Sequence, residues 1–231
     1  MKNHKNTLWT FGDSLTDFYY PPSPKFRHWR HEYIEWKGYN TKVYGEIIAQ
    51  KLNMNLVNKA KGGHCNSFIF EEFCKVSNQI KKDDIVIFGW TNQQRFRLSD
   101  KNNNWVYFNT NPTDDSAFFL QGEPNNLKLL SKSTITEILI NRIYSAYSIE
   151  ICNWINLINH TLKDIIVFHW SWADYDNKCD IYHAKGFKTI KDETKGYIDD
   201  AHWCEQSHFD FANIILDKIT NGKITISKNL L

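Results

Sequence analysis

The chain has 231 residues, 42% hydrophobic and 15% aromatic, enough apolar surface for one globular domain over 1–231 and too much for a disordered chain. Its 28 Lys and Arg against 26 Asp and Glu leave a formal charge of +2, which offers no basic footprint for a nucleic acid. Five scattered cysteines lack CxxC or Cys/His spacing, no apolar run approaches the ~20 residues that cross a bilayer, and the start has no signal-type apolar stretch; the expectation is a cytoplasmic protein with reduced thiols.

Thr7 to Phe11 is a short β-prone run closed by Gly12, and so reads as a first strand ending in a tight turn. Tyr19 to Arg30, with three prolines, reads as a long loop. Apolar residues at helical spacing predict helices over 43–52 and 66–80, with a strand at 55–58 between them. The nearly unbroken apolar run 84–90 has the pattern of a parallel strand covered on both faces. Arg95 and Arg97 fall on the loop that follows. The polar, turn-rich stretch of about 99–133 reads as an insertion that covers the sheet edge or forms a lid. A long helix over 136–162, a strand over 164–170 and a closing helix over 205–219 complete the chain. This alternation predicts a three-layer α/β/α domain with a mostly parallel central sheet. In such sheets ligands bind beyond the carboxyl ends of the strands, where Ser14, Gly63, Trp90, Thr91 and Trp170 fall.

Ser14 after Gly12-Asp13 is either the N-cap of a following helix or a nucleophile. A nucleophilic serine needs a base, an acid that holds the base, and donors for the oxyanion. The stretch Asp199-Asp200-Ala201-His202 supplies the first two just before the last helix.

Gly12-Asp13-Ser14-Leu15 resembles the first block of the GDSL or SGNH hydrolases, and Asp199-Asp200-Ala201-His202 resembles their final DxxH block. Asn58 to Asn66, centred on Gly63, is similar to the block whose Gly amide joins the oxyanion hole. The resemblance implies a flavodoxin-like α/β/α fold and an esterase that needs no metal or organic cofactor. In it Ser14 is the nucleophile, His202 the base, and the Ser14 and Gly63 amides line the oxyanion hole. DxxH spacing picks Asp199 as the acid, with Asp200 close behind because a DxHW variant occurs in acyltransferase-like members. The family's Gly-x-Asn-Asp, whose Asn donates to the oxyanion, is absent: Gly89-Trp90-Thr91-Asn92 puts Thr91 at the Asn position and Asn92 one residue late, so Thr91 serves, Asn92 swings in through a local bulge, or the hole relies on the Ser14 and Gly63 amides. The implied substrate is a small-molecule or glycan ester with a short, acetyl-type acyl group. Acyl transfer and an inactive binding module are the rival readings.

Several residues have two readings. Trp90, Trp170, Trp172 and Trp203 are either substrate walls or core. Arg95 and Arg97 either meet an anionic substrate or are solvated loop charges. His169 and His208 read as structural, His64 as a surface-loop residue, and Asp13 and Asp17 as side chains bonding backbone within their own turn.

Overall fold

The structure, a computed structural model, describes residues 5–17, 29–92, 95–99, 102–103, 105–110, 118–121, 146–172, 179–182 and 187–221. Most of the expected 19–30 loop, much of the expected 99–133 insertion and the start of the expected 136–162 helix lie outside them.

Five strands form a wholly parallel sheet: β1 (Thr7–Phe11), β2 (Asn55–Asn58), β3 (Ile85–Trp90), β7 (Ile166–Ser171) and β8 (Ile181–Tyr182), in the order β2-β1-β3-β7-β8. This is the flavodoxin-like order, with its switch point between β1 and β3. Registers Leu8 with Ile85 and Ile85 with Ile166 put side chains of one parity in rows across the sheet. One face carries Leu8, Ile85, Ile87, Phe168 and Trp170, covered by Tyr44, Ile47 and Ile48 of α2 (Tyr44–Lys51) and by Phe211 and Ile215 of α6 (Glu205–Thr220). The opposite face carries Trp9, Phe11, Val86, Phe88 and Trp90. It is covered by Ile69 and Phe73 of α3 (Asn66–Val76) and by Ile151, Ile155 and Ile158 of α4 (Ala146–Thr161). The molecule is therefore a three-layer α/β/α fold. Burial on both faces is why its strands lack polar alternation.

Two corrections to the sequence reading follow. The end of the expected 19–30 loop begins a helix, α1 (Trp29–Lys37). Arg95 and Arg97 lie on a strand, β4 (Arg95–Ser99), which pairs antiparallel with β5 (Trp105–Thr110), itself paired with β6 (Phe118–Gln121). This second sheet is anchored from β4: Phe96 is buried in the core beside α3, and Arg97 pairs with Glu71 of α3. A short helix, α5 (Ile190–Glu193), precedes α6. Among the described residues no helix is long and apolar enough to cross a membrane.

Candidate active site

Because all five strands run the same way, the turns after β1, β2, β3 and β7 meet on one edge. The turn after β1 is unusually tight. A Cβ on Gly12 would lie 2.2 Å from Thr16 Oγ1, and one on Gly89 would lie 2.7 Å from that atom and from the Trp170 ring. Only a residue without a side chain lets these segments approach so closely. Thr16 N and Asp17 N both donate to the Asp13 carbonyl, at 3.0 and 2.9 Å, and Leu15 N donates to Asp13 Oδ1 at 3.0 Å. The cap-like carboxylate is thus Asp13, and the Ser14 side chain is directed elsewhere.

His202 Nε2 lies 2.7 Å from Ser14 Oγ, and His202 Nδ1 lies 2.6 Å from Asp200 Oδ1. A carboxylate oxygen only accepts, so Nδ1 carries the proton and Nε2 accepts from the Ser14 hydroxyl. Asp200 Oδ1 also accepts from His202 N at 3.0 Å, a turn geometry that closes the two-residue spacing. Asp199 is not brought to the imidazole. Its side chain is 82% exposed and pairs with Lys191 Nζ at 2.7 Å, so the preference for Asp199 gives way to Asp200, whose side chain is 5% exposed.

The loop carrying His202 is pinned to the segment before α5. Thr189 and Trp203 form an antiparallel bridge, Ile190 N donates to the His202 carbonyl at 2.8 Å, and Lys191 N to the Asp200 carbonyl at 2.9 Å. Glu205, which begins α6, accepts from Tyr39 Oη at 2.6 Å, and its own N–H donates to Tyr33 Oη at 2.9 Å. Two neighbouring segments therefore fix the backbone on either side of His202.

A cavity of about 200 Å³ opens over Ser14, lined by Asp13, Ser14, Leu15, Arg95, Trp172, Ala201 and His202. Asp13, 1% exposed, accepts from Arg95 Nη1 at 2.8 Å and from Trp172 Nε1 at 3.0 Å through Oδ2. The Arg95 guanidinium stands 5.4 Å from the Trp172 ring centre. Arg95 is thus neither a solvated loop charge nor an uncompensated cation awaiting an anionic substrate.

Gly63 follows β2 with φ +74°, a left-handed conformation suited to glycine. Its loop is tied to the Ser14 turn. Asp17 Oδ2 accepts from Gly62 N at 2.9 Å, and Asn58 Nδ2 donates to the Thr16 carbonyl at 2.7 Å. Asp17 therefore bonds another loop, where bonding within its own turn was expected. Thr91 is wholly buried, and Asn66 grips its peptide, accepting from Thr91 N at 2.7 Å and donating to Thr91 O at 2.8 Å. The carbonyl of half-buried Asn92 accepts from Arg95 N at 3.2 Å. Gly63, Thr91 and Asn92 do not line the Ser14 cavity.

Three tryptophans expected near substrate are core. Trp90 is wholly buried and donates to His169 Nδ1 at 3.1 Å. Trp170, 1% exposed, donates to Tyr44 Oη at 3.1 Å, and Trp203, 6% exposed, stacks on Trp170. Strand periodicity explains this: Trp90 and Trp170 still lie within β3 and β7, whose two faces are both covered. Trp172, one residue past β7, reaches the cavity.

His169 receives the Trp90 proton at Nδ1, so Nε2 carries the hydrogen and donates to Asn159 Oδ1 at 3.0 Å. Burial pushes its pKa down to about 3. His64 is buried, contrary to the surface reading, and donates from Nδ1 to the Gly62 carbonyl at 3.0 Å. Burial, helped by the charges of Lys61, Arg97 and Arg95, lowers its pKa to about 4 against the opposing Gly62 bond. His208 is wholly buried and accepts from Tyr44 N at 3.4 Å. Among the described residues no group of three His, Cys, Asp or Glu is placed to hold a metal ion.

No protein-family model matches the chain, and no curated protein matches it in sequence. Two solved structures are similar in shape. One is a carbohydrate esterase whose active site is described as displaying divergent catalytic and non-catalytic binding functions, with 9% identity and a TM-score of 0.41. The other is an acetyl xylan esterase from the rumen bacterium Butyrivibrio proteoclasticus, with 11% identity and a TM-score of 0.43. Each alignment covers 96% of this chain, which spans 66% and 65% of the length of those proteins.

Proposed function

We propose that the protein is a serine ester hydrolase of the GDSL/SGNH type, with Ser14 as nucleophile, His202 as general base and acid, and Asp200 orienting the imidazole. The observation that carries this reading is the continuous link from Asp200 Oδ1 through His202 to Ser14 Oγ, at 2.6 and 2.7 Å, opening into a cavity.

Ser14 Oγ attacks the ester carbonyl carbon while Nε2 takes its proton, and the carbonyl becomes an oxyanion. The imidazolium, held by Asp200, then returns the proton to the leaving alcohol as the carbon–oxygen bond breaks. Water, deprotonated by the same nitrogen, releases the acid and restores Ser14. The backbone amides of Ser14 and Gly63 are the proposed oxyanion donors, supported by the ties between their two turns. Losing one such donor costs about 3 kcal/mol of transition-state stabilisation. With Thr91 buried and Asn92 half-buried, Asn92 is the remaining candidate for a third donor, and without it slow turnover is expected. The substrate is a small-molecule or glycan ester with a short acyl group, which suits a cavity of about 200 Å³.

The test is hydrolysis of p-nitrophenyl acetate, butyrate and octanoate by the parent protein, Ser14→Ala and His202→Ala, with fluorophosphonate labelling mapped by mass spectrometry. Label on Ser14 and loss of activity in both variants support the reading. No label, and equal rates for parent and Ser14→Ala, overturn it in favour of a binding module. The Asp200-Ala201-His202-Trp203 spacing, now with Asp200 on the imidazole, favours acyl transfer as a second reading. Acylated product with an added sugar acceptor would reveal it.

A further inference from the structure

The cavity over Ser14 holds one large ring, Trp172, and that ring is held in place. Its indole N–H donates to Asp13 Oδ2 at 3.0 Å, Arg95 Nη1 donates to the same oxygen at 2.8 Å, and the guanidinium lies against the ring at 5.4 Å from its centre. Asp13 is fixed in turn by Leu15 N at 3.0 Å. Swinging Trp172 aside would strip a donor from a carboxylate that is 1% exposed, an expensive loss for a buried charge. Among the described residues the remaining apolar lining is Leu15, on the Ser14 turn, and Ala201, which has a single methyl.

We infer that Trp172, clamped by Asp13 and backed by Arg95, is the wall that limits the acyl group delivered to Ser14 to a few carbons. The inference rests on Ser14 being the nucleophile. Pockets that bury drug-sized ligands measure ~300–1,000 Å³, whereas the space over Ser14 measures about 200 Å³. Trp172 is the largest side chain among the described residues that line this space, and so the one placed to stop a longer acyl chain. The clamp also makes Asp13 a positioning residue for substrate choice, since its one carboxylate shapes both the Ser14 turn and the wall.

The experiment compares labelling of Ser14 by an ethyl and an octyl fluorophosphonate in the intact chain, alongside hydrolysis of p-nitrophenyl acetate and octanoate. In Trp172→Ala the octyl-to-ethyl and octanoate-to-acetate ratios rise by about tenfold or more, the scale on which a pocket discriminates chain length. Trp172→Phe, which keeps a ring, shifts them less. Asp13→Asn keeps an oxygen for Leu15 N but turns a donor toward Arg95 and Trp172. It raises the ratios in the same direction and serves where Trp172→Ala does not fold. Labelled Ser14 with unchanged ratios in both variants overturns the inference and leaves the nucleophile standing. So does a response confined to the alcohol part of a series of acetates, which would put the ring on the leaving-group side. No labelling of the parent chain by either probe removes the nucleophile, and the inference with it.

Discussion

The Asn66 carboxamide bonds both backbone polar groups of Thr91, accepting from its N–H at 2.7 Å and donating to its carbonyl at 2.8 Å, with both residues wholly buried. The clamp joins the start of α3 to the end of β3, beside the proposed site. Asn66→Ala leaves two buried backbone groups unpaired at ~1–3 kcal/mol each. The expected loss is about 2–6 kcal/mol, or roughly 4–24 °C in Tm for a chain of this size. Calorimetry of the two proteins checks it, and a change under 1 °C would show that water or a neighbour replaces the amide.

Asp199 and Asp200 are adjacent in sequence and opposite in environment. One is 82% exposed beside Lys191, the other 5% exposed on the imidazole. Asp200→Asn removes the acceptor that fixes the His202 tautomer, and kcat/KM for p-nitrophenyl acetate is expected to fall by about 10³–10⁴. Asp199→Asn gives up an exposed ion pair and leaves the rate within about twofold. Equal losses in the two variants would overturn the assignment of Asp200.

Acid sensitivity follows from two buried imidazoles. The pKa of His64 is lowered to about 4 and that of His169 to about 3, from an ordinary 6.5. The unfolded chain therefore takes up protons first as pH falls. The stabilisation is full above about pH 6.5 and declines as pH drops through the interval down to these depressed values. Between pH 7.5 and 5 the two sites together remove about 2–4 kcal/mol. Urea midpoints across that range report the slope, and His64→Gln is expected to flatten it. A midpoint that rises on acidification would contradict the sign.

The order of the layers was legible because the buried parallel strands β1, β3 and β7 are nearly continuous apolar runs, and α2, α3 and α6 carry apolar residues at helical spacing. That Ser14 and His202 would meet was legible because each sits in a compact local block. What escaped was decided by tertiary packing. Asp199 and Asp200 are the same residue type, and the bonds that fix the turn, among them Lys191 N to the Asp200 carbonyl, Asp200 N to the Ile198 carbonyl and Lys191 Nζ to Asp199, come from tertiary packing. Trp90, Trp170, Trp172 and Trp203 all lie near strand ends or the His202 turn, but one residue of register separates core from cavity. Asn66 had no local signal, because its partner lies 25 residues away. The loop composition before residue 29 likewise obscured α1, whose Tyr33 anchors the start of α6.

The Arg95–Asp13 pair carries a test of how the second sheet bears on Ser14. Arg95 begins β4, is 13% exposed, and bonds a carboxylate that is 1% exposed at 2.8 Å. Removing one member of a buried pair costs ~3–5 kcal/mol, since the other charge is left in a poor solvent. Asp13 keeps the Trp172 and Leu15 donors, so Arg95→Ala is expected near the lower end, at about 3 kcal/mol. Adding Asp13→Asn removes the stranded charge and still accepts from Leu15 N. The double variant should therefore be more stable than Arg95→Ala alone, with a coupling energy of about 1–3 kcal/mol. A shielded pair also responds weakly to salt, whereas an exposed one weakens within a Debye length of ~10 Å at 0.1 M. Urea unfolding of the four proteins at low and high NaCl measures both quantities. Additive losses, or a coupling that vanishes in salt, would show that Arg95 is a surface charge and that β4 does not constrain the Ser14 turn.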